Sequence, residues 1–244
     1  MTKNAVCRND HTFEHDFFGK TVRCHNFVGR FPGERPGTLL LGTHYDTRPH
    51  ADCDPRPERR LEPVPGANDG ASGVAVLLSL VDWLRDESRR PTVDLTLFDA
   101  EDWHQIDGNW VSLGARRFVE ANEAELPDAV LVLDMIGAQG LNVQFDLSVR
   151  DHPPSMEWGL ALHRLARAEG VLPFCRQEET PLTWVQDDHT PFLERGIRSC
   201  LMIDMDYPVW HTVDDTLEQC DPAVLDEMAR FSRSAIVKLA ATFE

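Results

Sequence analysis

Five side chains that could bind a metal ion lie beside strand-like runs or in turns of this 244-residue sequence. Two imidazoles and three carboxylates are ligand types that zinc accepts when it must also hold a water molecule or a substrate. No one of them is decisive alone, but the ordered set predicts a zinc site. The candidate ligands are His44 in GTHYDT, Asp69 in GANDGASG, Asp102 in FDAEDW, Asp134 in VLDMIG and His211 in VWHT.

Glu101 stands directly beside Asp102, so a general acid or base would lie next to the metal. Two adjacent carboxylates repel each other, and burying both is costly without a cation. The alternative is an exposed acidic loop, which the following Trp103 disfavours. We expect Glu101 to carry the proton and Asp102 to bind the metal.

Asp134 ends the apolar run AVLVL, where a carboxylate needs a partner. That partner is a second metal, a protonated neighbour or a substrate ammonium group. His44 and Asp46 are two residues apart and share one face of a strand, so Asp46 is placed to orient His44. The alternative for this pair is a solvated strand end.

Two further aspartates can be interpreted as helix caps. Asp69 precedes a helical pattern, where it would cap the helix and still offer an oxygen to the metal. Asp188 is expected to cap the helix that begins at Thr190, which leaves Asp187 as the functional candidate. Trp210, beside His211, is better explained as a pocket wall than as a core residue.

Strand and helix patterns alternate along the chain without an internal repeat. The first two predicted strands form an antiparallel ribbon, and the long loop at 51–65 is expected to border the site. The predicted strands cover residues 5–18, 21–31, 38–43, 93–98, 129–134 and 197–203, and the predicted helices cover 73–84, 114–121, 156–169 and 222–242.

This alternation predicts a single α/β domain over residues 1–244, a three-layer sandwich in which helices flank a central mixed, mostly parallel sheet. Sites in such sheets lie beyond the carboxyl ends of the strands. His44, Asp102 and Asp134 all fall there. The fold and ligand predictions therefore agree, although they rest on different residues.

The chain has 24 basic and 41 acidic residues, a formal charge of −17, which disfavours nucleic acid and anionic membranes as partners. No run is long and apolar enough to span a bilayer, and the N-terminus has no apolar signal core. We therefore expect a cytoplasmic protein. The six cysteines are scattered without a Cys-x-x-Cys pair, so we expect free thiols.

Taken together, the segments resemble the zinc-dependent aminopeptidase superfamily, and within it the glutaminyl cyclase-like branch of animal-type glutaminyl-peptide cyclotransferases and bacterial relatives. The DDHTPFL and WHT segments favour the cyclase branch. The resemblance implies a zinc aminopeptidase-like α/β fold. It rests on residues 42–47, 65–73, 97–103, 133–138, 185–193 and 207–215, in family order.

The resemblance implies that Asp69, Asp102 and His211 hold one zinc. In two-zinc aminopeptidases, positions matching His44 and Asp134 hold a second, so one ion is expected and two are possible. Animal cyclases have a glutamate where this chain has Asp102, which still ligates but reaches less far.

The resemblance also implies that Glu101 is the general acid and base, and that Asp134 and Asp187 form an acidic network near the substrate. The family usually has helices before the first strand, and we expect this N-terminal segment to be lacking here. We therefore expect the sheet face it would cover to self-associate into a homo-oligomer or to be unusually polar. The candidate substrate-binding residues are Trp103, Tyr207 and Trp210.

Three hypotheses follow for the function. The first is a zinc enzyme that cyclises an N-terminal glutamine to pyroglutamate and releases ammonia, with Glu101 moving the proton and no activated water. The second is a zinc aminopeptidase, in which Glu101 deprotonates a metal-bound water and two zincs use all five ligands. The third is a non-catalytic relative that serves as a binding module. The partner in either enzyme is a peptide N-terminus or a small amide.

Overall fold

The computed structural model describes residues 6–17, 19–103, 112–175 and 180–238. Its strands are β1 (Val6–Phe17), β2 (Lys20–Phe31), β3 (Thr38–His44), β4 (Thr92–Phe98), β5 (Ala129–Leu133), β6 (Gln144–Asp146), β7 (Leu182–Thr183) and β8 (Arg198–Ile203). Its α-helices are α1 (Ala71–Ser79), α2 (Val81–Asp86), α3 (Leu113–Ala121), α4 (Pro153–Ala168), α5 (Leu172–Cys175), α6 (Thr190–Leu193) and α7 (Pro222–Lys238). Short 3-10 helices cover Pro57–Arg59, Leu147–Asp151 and Leu217–Gln219.

The strands form one mixed sheet in the order β1-β2-β4-β3-β5-β8-β6-β7. The four central strands, β4, β3, β5 and β8, run parallel. The β1/β2 ribbon joins one side through an antiparallel pairing of β2 with β4. On the other side β6 pairs antiparallel with β8 and parallel with β7. The predicted mixed, mostly parallel sheet is confirmed.

Apolar side chains of the central strands alternate between two hydrophobic cores. Leu39 and Leu41 of β3 point to the core shared with α1, α4 and α7, whereas Leu40 points to the core shared with α3 and α6. Burying each such side chain contributes about 1.5–3 kcal/mol. Helices therefore cover both faces, and the predicted three-layer sandwich is confirmed.

The predicted elements match the structure where the hydrophobic pattern is long. One predicted helix, 73–84, is two helices that meet at the buried Leu80. The final helix begins at Pro222 as predicted, with Oδ1 of Asp221 accepting the N–H of Ala223 at 2.9 Å. Its predicted end at 242 lies outside the described residues.

Two strands, β6 and β7, were not predicted. They are three and two residues long, too short to show a period of two. Among the helices described, none has both the length and the apolar character to cross a membrane. The four cysteines with described side chains are free, as expected.

Candidate metal and catalytic site

Three neighbouring strands end at the same edge of the sheet and carry candidate ligands there. His44 is the last residue of β3, Asp134 directly follows β5, and Asp102 lies in the turn after β4. Asp69 precedes α1, and His211 lies in the loop between β8 and α7. All but His44 line a cavity of about 290 Å³. The fold thus brings the five predicted ligands together.

Asp69 lies between the two imidazoles. Its Oδ1 is 3.1 Å from Nε2 of His44, and its Oδ2 is 3.5 Å from Nε2 of His211. Nε2 of His44 also lies 3.1 Å from Oδ1 of Asp134, and Nε2 of His211 lies 3.1 Å from Oδ1 of Asp102. The residues therefore form two groups that share Asp69: the His211 group, with Asp102, and the His44 group, with Asp134.

The donor atoms of the His211 group fit a zinc ion. Oδ2 of Asp69 and Oδ2 of Asp102 are buried and have no hydrogen-bond partner in the described part of the chain. Such oxygens are costly unless a cation or a donor satisfies them. Together with the imidazole nitrogen of His211 they are an ordinary zinc donor set. Ligand atoms of His44, Asp69 and Asp102 also lie within 4.8 Å of one another.

Asp46 supports both groups from behind. Its two carboxylate oxygens accept the N–H groups of Glu101 and Asp102, each at 3.0 Å. Nδ1 of His44 contacts the backbone carbonyl oxygen of Asp46 at 3.1 Å, while the carboxylate is 3.6 Å away. Asp46 therefore orients His44 as predicted, but mainly through its backbone, because its carboxylate holds the turn after β4.

Positive φ angles at non-glycine residues cluster around the site. Ala100 has φ 56°, Met135 has φ 48° and His211 has φ 54°. Ala100 precedes Glu101, Met135 follows Asp134, and His211 is itself a candidate ligand. This left-handed conformation is unfavourable for side chains with a Cβ and is concentrated at functional sites in proteins. The surrounding fold stabilises it here.

Asp69 does not cap α1, contrary to expectation. The N-cap position is Gly70, with φ 91° and no side-chain cap bond. The turn is held instead by Asp215, whose carboxylate accepts the N–H groups of Asn68 at 2.9 Å and Asp69 at 3.1 Å. Tyr207 donates its hydroxyl to the same carboxylate at 2.6 Å. It is buried behind the turn and does not line the cavity, which corrects its prediction as a substrate contact.

Glu101 is buried and lines the cavity, so the turn after β4 is not the exposed acidic loop considered above. Burial and the nearby Asp187 charge hold the pKa of Glu101 well above its usual range. Burial and Asp134 do the same for the pKa of Asp187. The Ser112 hydroxyl donates to Oε1 of Glu101 at 3.2 Å. A carboxyl with a raised pKa is suited to accept and release a proton near neutral pH.

Asp188 does not cap the following helix either. The N-cap of α6 is His189, without a side-chain cap bond. Both carboxylate oxygens of Asp188 are buried without a hydrogen-bond partner among the described residues, and burial raises its pKa well above the usual range. Asp187 faces the cavity, and its N–H donates to Oγ1 of Thr190 at 3.1 Å.

Trp210 forms a cavity wall, as predicted, and its ring stacks on that of His211 with centroids 3.9 Å apart. Trp103 instead packs on Phe17, with ring centroids 4.7 Å apart, and is not among the described residues that line the cavity. This corrects its prediction as a substrate contact. Other cavity residues that the sequence did not single out are Met135, Trp184, Val185, Gln186, Ile203 and Met205.

The loop at 51–65 borders the site, as expected. The N–H of Cys53 donates to the carbonyl of His211 at 3.2 Å, and Nδ1 of His211 lies 3.8 Å from Oδ1 of Asp52. Arg48 binds the Asp52 carboxylate through two bonds of 2.8 and 2.7 Å and donates to the backbone carbonyl of Asp102 at 3.0 Å. The loop therefore contacts His211 directly and is joined to Asp102 through Arg48.

A family model, Peptidase family M28, matches residues 26–236. The chain belongs to peptidase family M28. A glutaminyl-peptide cyclotransferase of Bos taurus is 26% identical in an alignment that covers 78% of this chain and 59% of that protein. The M28 chain thus spans less than two thirds of the length of the curated relatives it matches.

Two solved structures show the same architecture. A Zn-dependent exopeptidase from Parabacteroides distasonis superposes with a TM-score of 0.80 at 25% identity, covering 96% of this chain and 84% of that chain. A Porphyromonas gingivalis glutaminyl cyclase superposes with a TM-score of 0.79 at 25% identity, covering 95% and 85%. The predicted resemblance and fold family are confirmed, and the family indicates zinc as the metal.

No sequence pattern had indicated several polar residues that support the site of this M28 chain. Asp215 holds the turn that carries Asp69. Asp146 and His189 contact each other behind the cavity wall, with Nε2 and Oδ2 2.9 Å apart. Asp146, two residues before Ser148, fits the pattern of an aspartate turn. Nothing in the sequence indicated that its partner would be His189, 43 residues away.

Proposed function

We propose that this M28 chain is a zinc-dependent glutaminyl cyclase that converts an N-terminal glutamine to pyroglutamate and releases ammonia. The observation that carries the proposal is the asymmetry between the two ligand groups. The unpartnered oxygens of Asp69 and Asp102 belong to the His211 group. Asp134 of the His44 group has no buried oxygen that lacks a partner within the described part of the chain. Nε2 of each imidazole hydrogen-bonds to a carboxylate at 3.1 Å, so the two groups differ in their oxygens and not in their histidines. This pattern favours a single zinc, and cyclisation needs only one.

Asp69, Asp102 and His211 would hold the zinc, which supplies Lewis-acid polarisation of the substrate's side-chain amide carbonyl when bound. Glu101 accepts a proton from the α-amine as the amine nitrogen attacks the amide carbon. Glu101 then gives that proton to the departing nitrogen, the carbon–nitrogen bond breaks, and ammonia leaves. Because the nucleophile is already tethered to the electrophile, much of the rate gain comes from holding the two in the reactive orientation.

The remaining cavity residues would bind and orient the glutamine. Asp187 and Asp134 lie at the cavity surface, where carboxylates attract a substrate amine or accept from its amide. The indole of Trp210 would cover the methylene groups of the side chain and exclude water. These roles are consistent with a cavity of about 290 Å³, which matches a single side chain better than a long peptide.

The aminopeptidase alternative is supported by the geometry of the His44 group. Nε2 of His44 lies 3.1 Å from an oxygen of Asp69 and 3.1 Å from one of Asp134, and this set could hold a second zinc. In that case Glu101 would deprotonate a water molecule, and the chain would release N-terminal amino acids.

One experiment separates the two activities. The purified protein is incubated with a glutaminyl peptide and, in parallel, with a leucyl amide, and zinc is counted per chain. We expect ammonia from the first substrate, no leucine from the second and one zinc. Two zincs, with leucine released and no ammonia from the peptide, would establish the aminopeptidase instead. No turnover of either substrate by the zinc-loaded protein would favour the binding module.

A further inference from the structure

The segment 185–189 carries part of the cavity wall but has little secondary structure to hold it. Val185, Gln186 and Asp187 all line the cavity. The segment lies between β7, which has two residues, and α6, which has four. Its position must therefore depend on side-chain contacts from elsewhere in the fold.

A single buried carboxylate, that of Asp146 at the end of β6, contacts both ends of the segment. Its Oδ1 accepts the N–H of Val185 at 3.3 Å and the N–H of Ser148 at 2.8 Å. Its Oδ2 lies 2.9 Å from Nε2 of His189 and accepts the Ser148 hydroxyl. The Ser148 hydroxyl oxygen is also 2.9 Å from Nε2 of His189.

These contacts are made away from water. Asp146 and His189 are both buried, and Nδ1 of His189 has no hydrogen-bond partner among the described residues. Burial alone would raise the pKa of Asp146, but the hydrogen bond and electrostatic attraction of His189 and the hydrogen bonds from Ser148 together outweigh it, and the pKa is lowered. Removing the carboxylate would take the acceptor from the N–H groups of Val185 and Ser148 and leave the buried His189 ring with only the Ser148 hydroxyl, so the segment would move to satisfy them.

We propose that Asp146 and His189 are positioning residues that fix Asp187 in the cavity. Neither lines the cavity, so both act through the segment they hold. His189 is two residues from Asp187, and Val185 is two residues before it, so both anchors flank the acidic side chain. The inference rests on the proposed cyclisation, in which Asp187 binds the substrate amine or amide. A displacement of about 1 Å at such a group can cost about a hundredfold in rate.

The test compares Asp146→Ala with Asp94→Ala, a matched control. Asp94 is also buried and pairs with a cation, Arg30, at 2.7 Å, but it lies on β4 and does not line the cavity. We expect both variants to lose stability. Only Asp146→Ala should raise KM for a glutaminyl peptide, by about tenfold or more, with zinc content unchanged. Asp146→Asn keeps an oxygen acceptor for Val185 and should recover most of the loss.

Hydrogen exchange provides a readout that does not depend on catalysis. Amides of residues 184–189 should exchange faster in Asp146→Ala and at the wild-type rate in Asp94→Ala. If Asp146→Ala does not fold, Ser148→Ala, which deletes one hydroxyl, should still raise KM by about threefold. An unchanged KM together with unchanged exchange in an active, folded variant would overturn the inference. If the wild-type protein releases no ammonia, the proposed function fails, while hydrogen exchange still decides whether Asp146 holds the segment.

Discussion

At the scale of single residues, the site concentrates acidic groups where water is largely excluded. Asp69, Glu101, Asp102, Asp134 and Asp187 all line one cavity and all are buried. Carboxylates removed from water repel one another strongly, and protons or a bound cation reduce that cost. The same arrangement that binds a metal therefore also makes a carboxyl group able to carry a proton.

Glu101→Gln should abolish most of the activity and leave the zinc in place. The substitution preserves size but removes the group that accepts the proton, and general base catalysis is worth about a hundredfold or more. Ammonia release from a glutaminyl peptide gives kcat, and metal analysis gives zinc per chain. A variant with a near wild-type rate would assign the base to Asp134 or Asp187 instead.

Trp210→Ala should weaken substrate binding more than the chemical step, because it removes a wall and not a proton carrier. We expect KM to rise by about tenfold while kcat changes less. Leu217→Ala, at a side chain that is 76% exposed and outside the cavity, is the control and should leave both constants unchanged. A fall in kcat with an unchanged KM would show that the indole acts in the transition state.

At the scale of secondary-structure elements, close contact between α1 and the central strands sets the position of Asp69. A Cβ on Gly73 would lie 2.0 Å from Oγ1 of Thr43 on β3 and 2.7 Å from the carbonyl oxygen of Leu133 on β5. Only glycine allows this approach. Helix α1 can therefore begin directly behind His44, at the end of β3, and Asp134, which follows β5.

Gly73→Ala should destabilise the fold, because the new Cβ would meet the Thr43 side chain and the Leu133 carbonyl oxygen, and neither can move aside. Overpacking of this kind costs about 1–3 kcal/mol, measured as the loss of unfolding free energy in urea. Gly159→Ala on α4 is the matched control, since its Cβ would meet only side-chain atoms, at 3.1–3.4 Å. We expect it to be nearly neutral. Equal effects in the two helices would show that contact with the sheet is not the cause.

At the scale of the whole molecule, protonation and metal binding are coupled to stability. Burial raises the pKa of Asp69 and Asp102 in the metal-free protein. For His211, burial alone would lower the pKa, but Asp102, with smaller contributions from Cys53 and Asp69, raises it to about 9. At these three groups the folded, metal-free protein therefore holds more protons than the unfolded chain. Their contribution to stability is fully present below the unfolded pKa values and is lost as pH rises through the carboxyl range and, for His211, through about 9.

Removal of zinc by a chelator should lower the melting temperature more at pH 8 than at pH 6. The ligands must be deprotonated to bind the metal, so zinc offsets the loss that the metal-free protein suffers as pH rises. With free zinc at about 100 times its dissociation constant, about 2.7 kcal/mol of stabilisation is expected, or roughly 5–10 °C. Calorimetry with and without chelator measures this, and equal melting temperatures at both pH values would contradict it.

Self-association stays a prediction for the whole molecule, and we expect it at an apolar groove. The groove lies between β2 and the helices α1 and α2, and in it Phe27 is 42% exposed and Leu78 is 60% exposed. Apolar surface of this kind is buried favourably against a second copy. Light scattering should detect a dimer that Leu78→Glu converts to monomer, whereas Leu160→Glu on α4 does not. A wild-type protein that remains monomeric at high concentration would refute the prediction.

The sequence by itself determined the layered fold and the identity of the candidate ligands. Long apolar runs such as Ala129–Leu133 show the period of their secondary structure, because a buried strand or helix must present apolar side chains at fixed spacing. Ligands at the ends of those runs, such as Asp134, were predictable because the carboxyl ends of parallel strands meet at one edge. The acidic pair of Glu101 and Asp102 indicated the general base, and the family resemblance implied the same role for Glu101.

Only the tertiary structure decided which polar residues touch each other. His44 and Asp134 are 90 residues apart, and their contact depends on the strand order of the sheet, which no local pattern specifies. Asp146 and His189 meet because β6 and β7, too short to show a period, place them at the same edge. Tyr207 contacts Asp215, eight residues further along the chain, and does not line the cavity. Burial and partner choice arise from long-range packing, so residue type and spacing alone do not determine them.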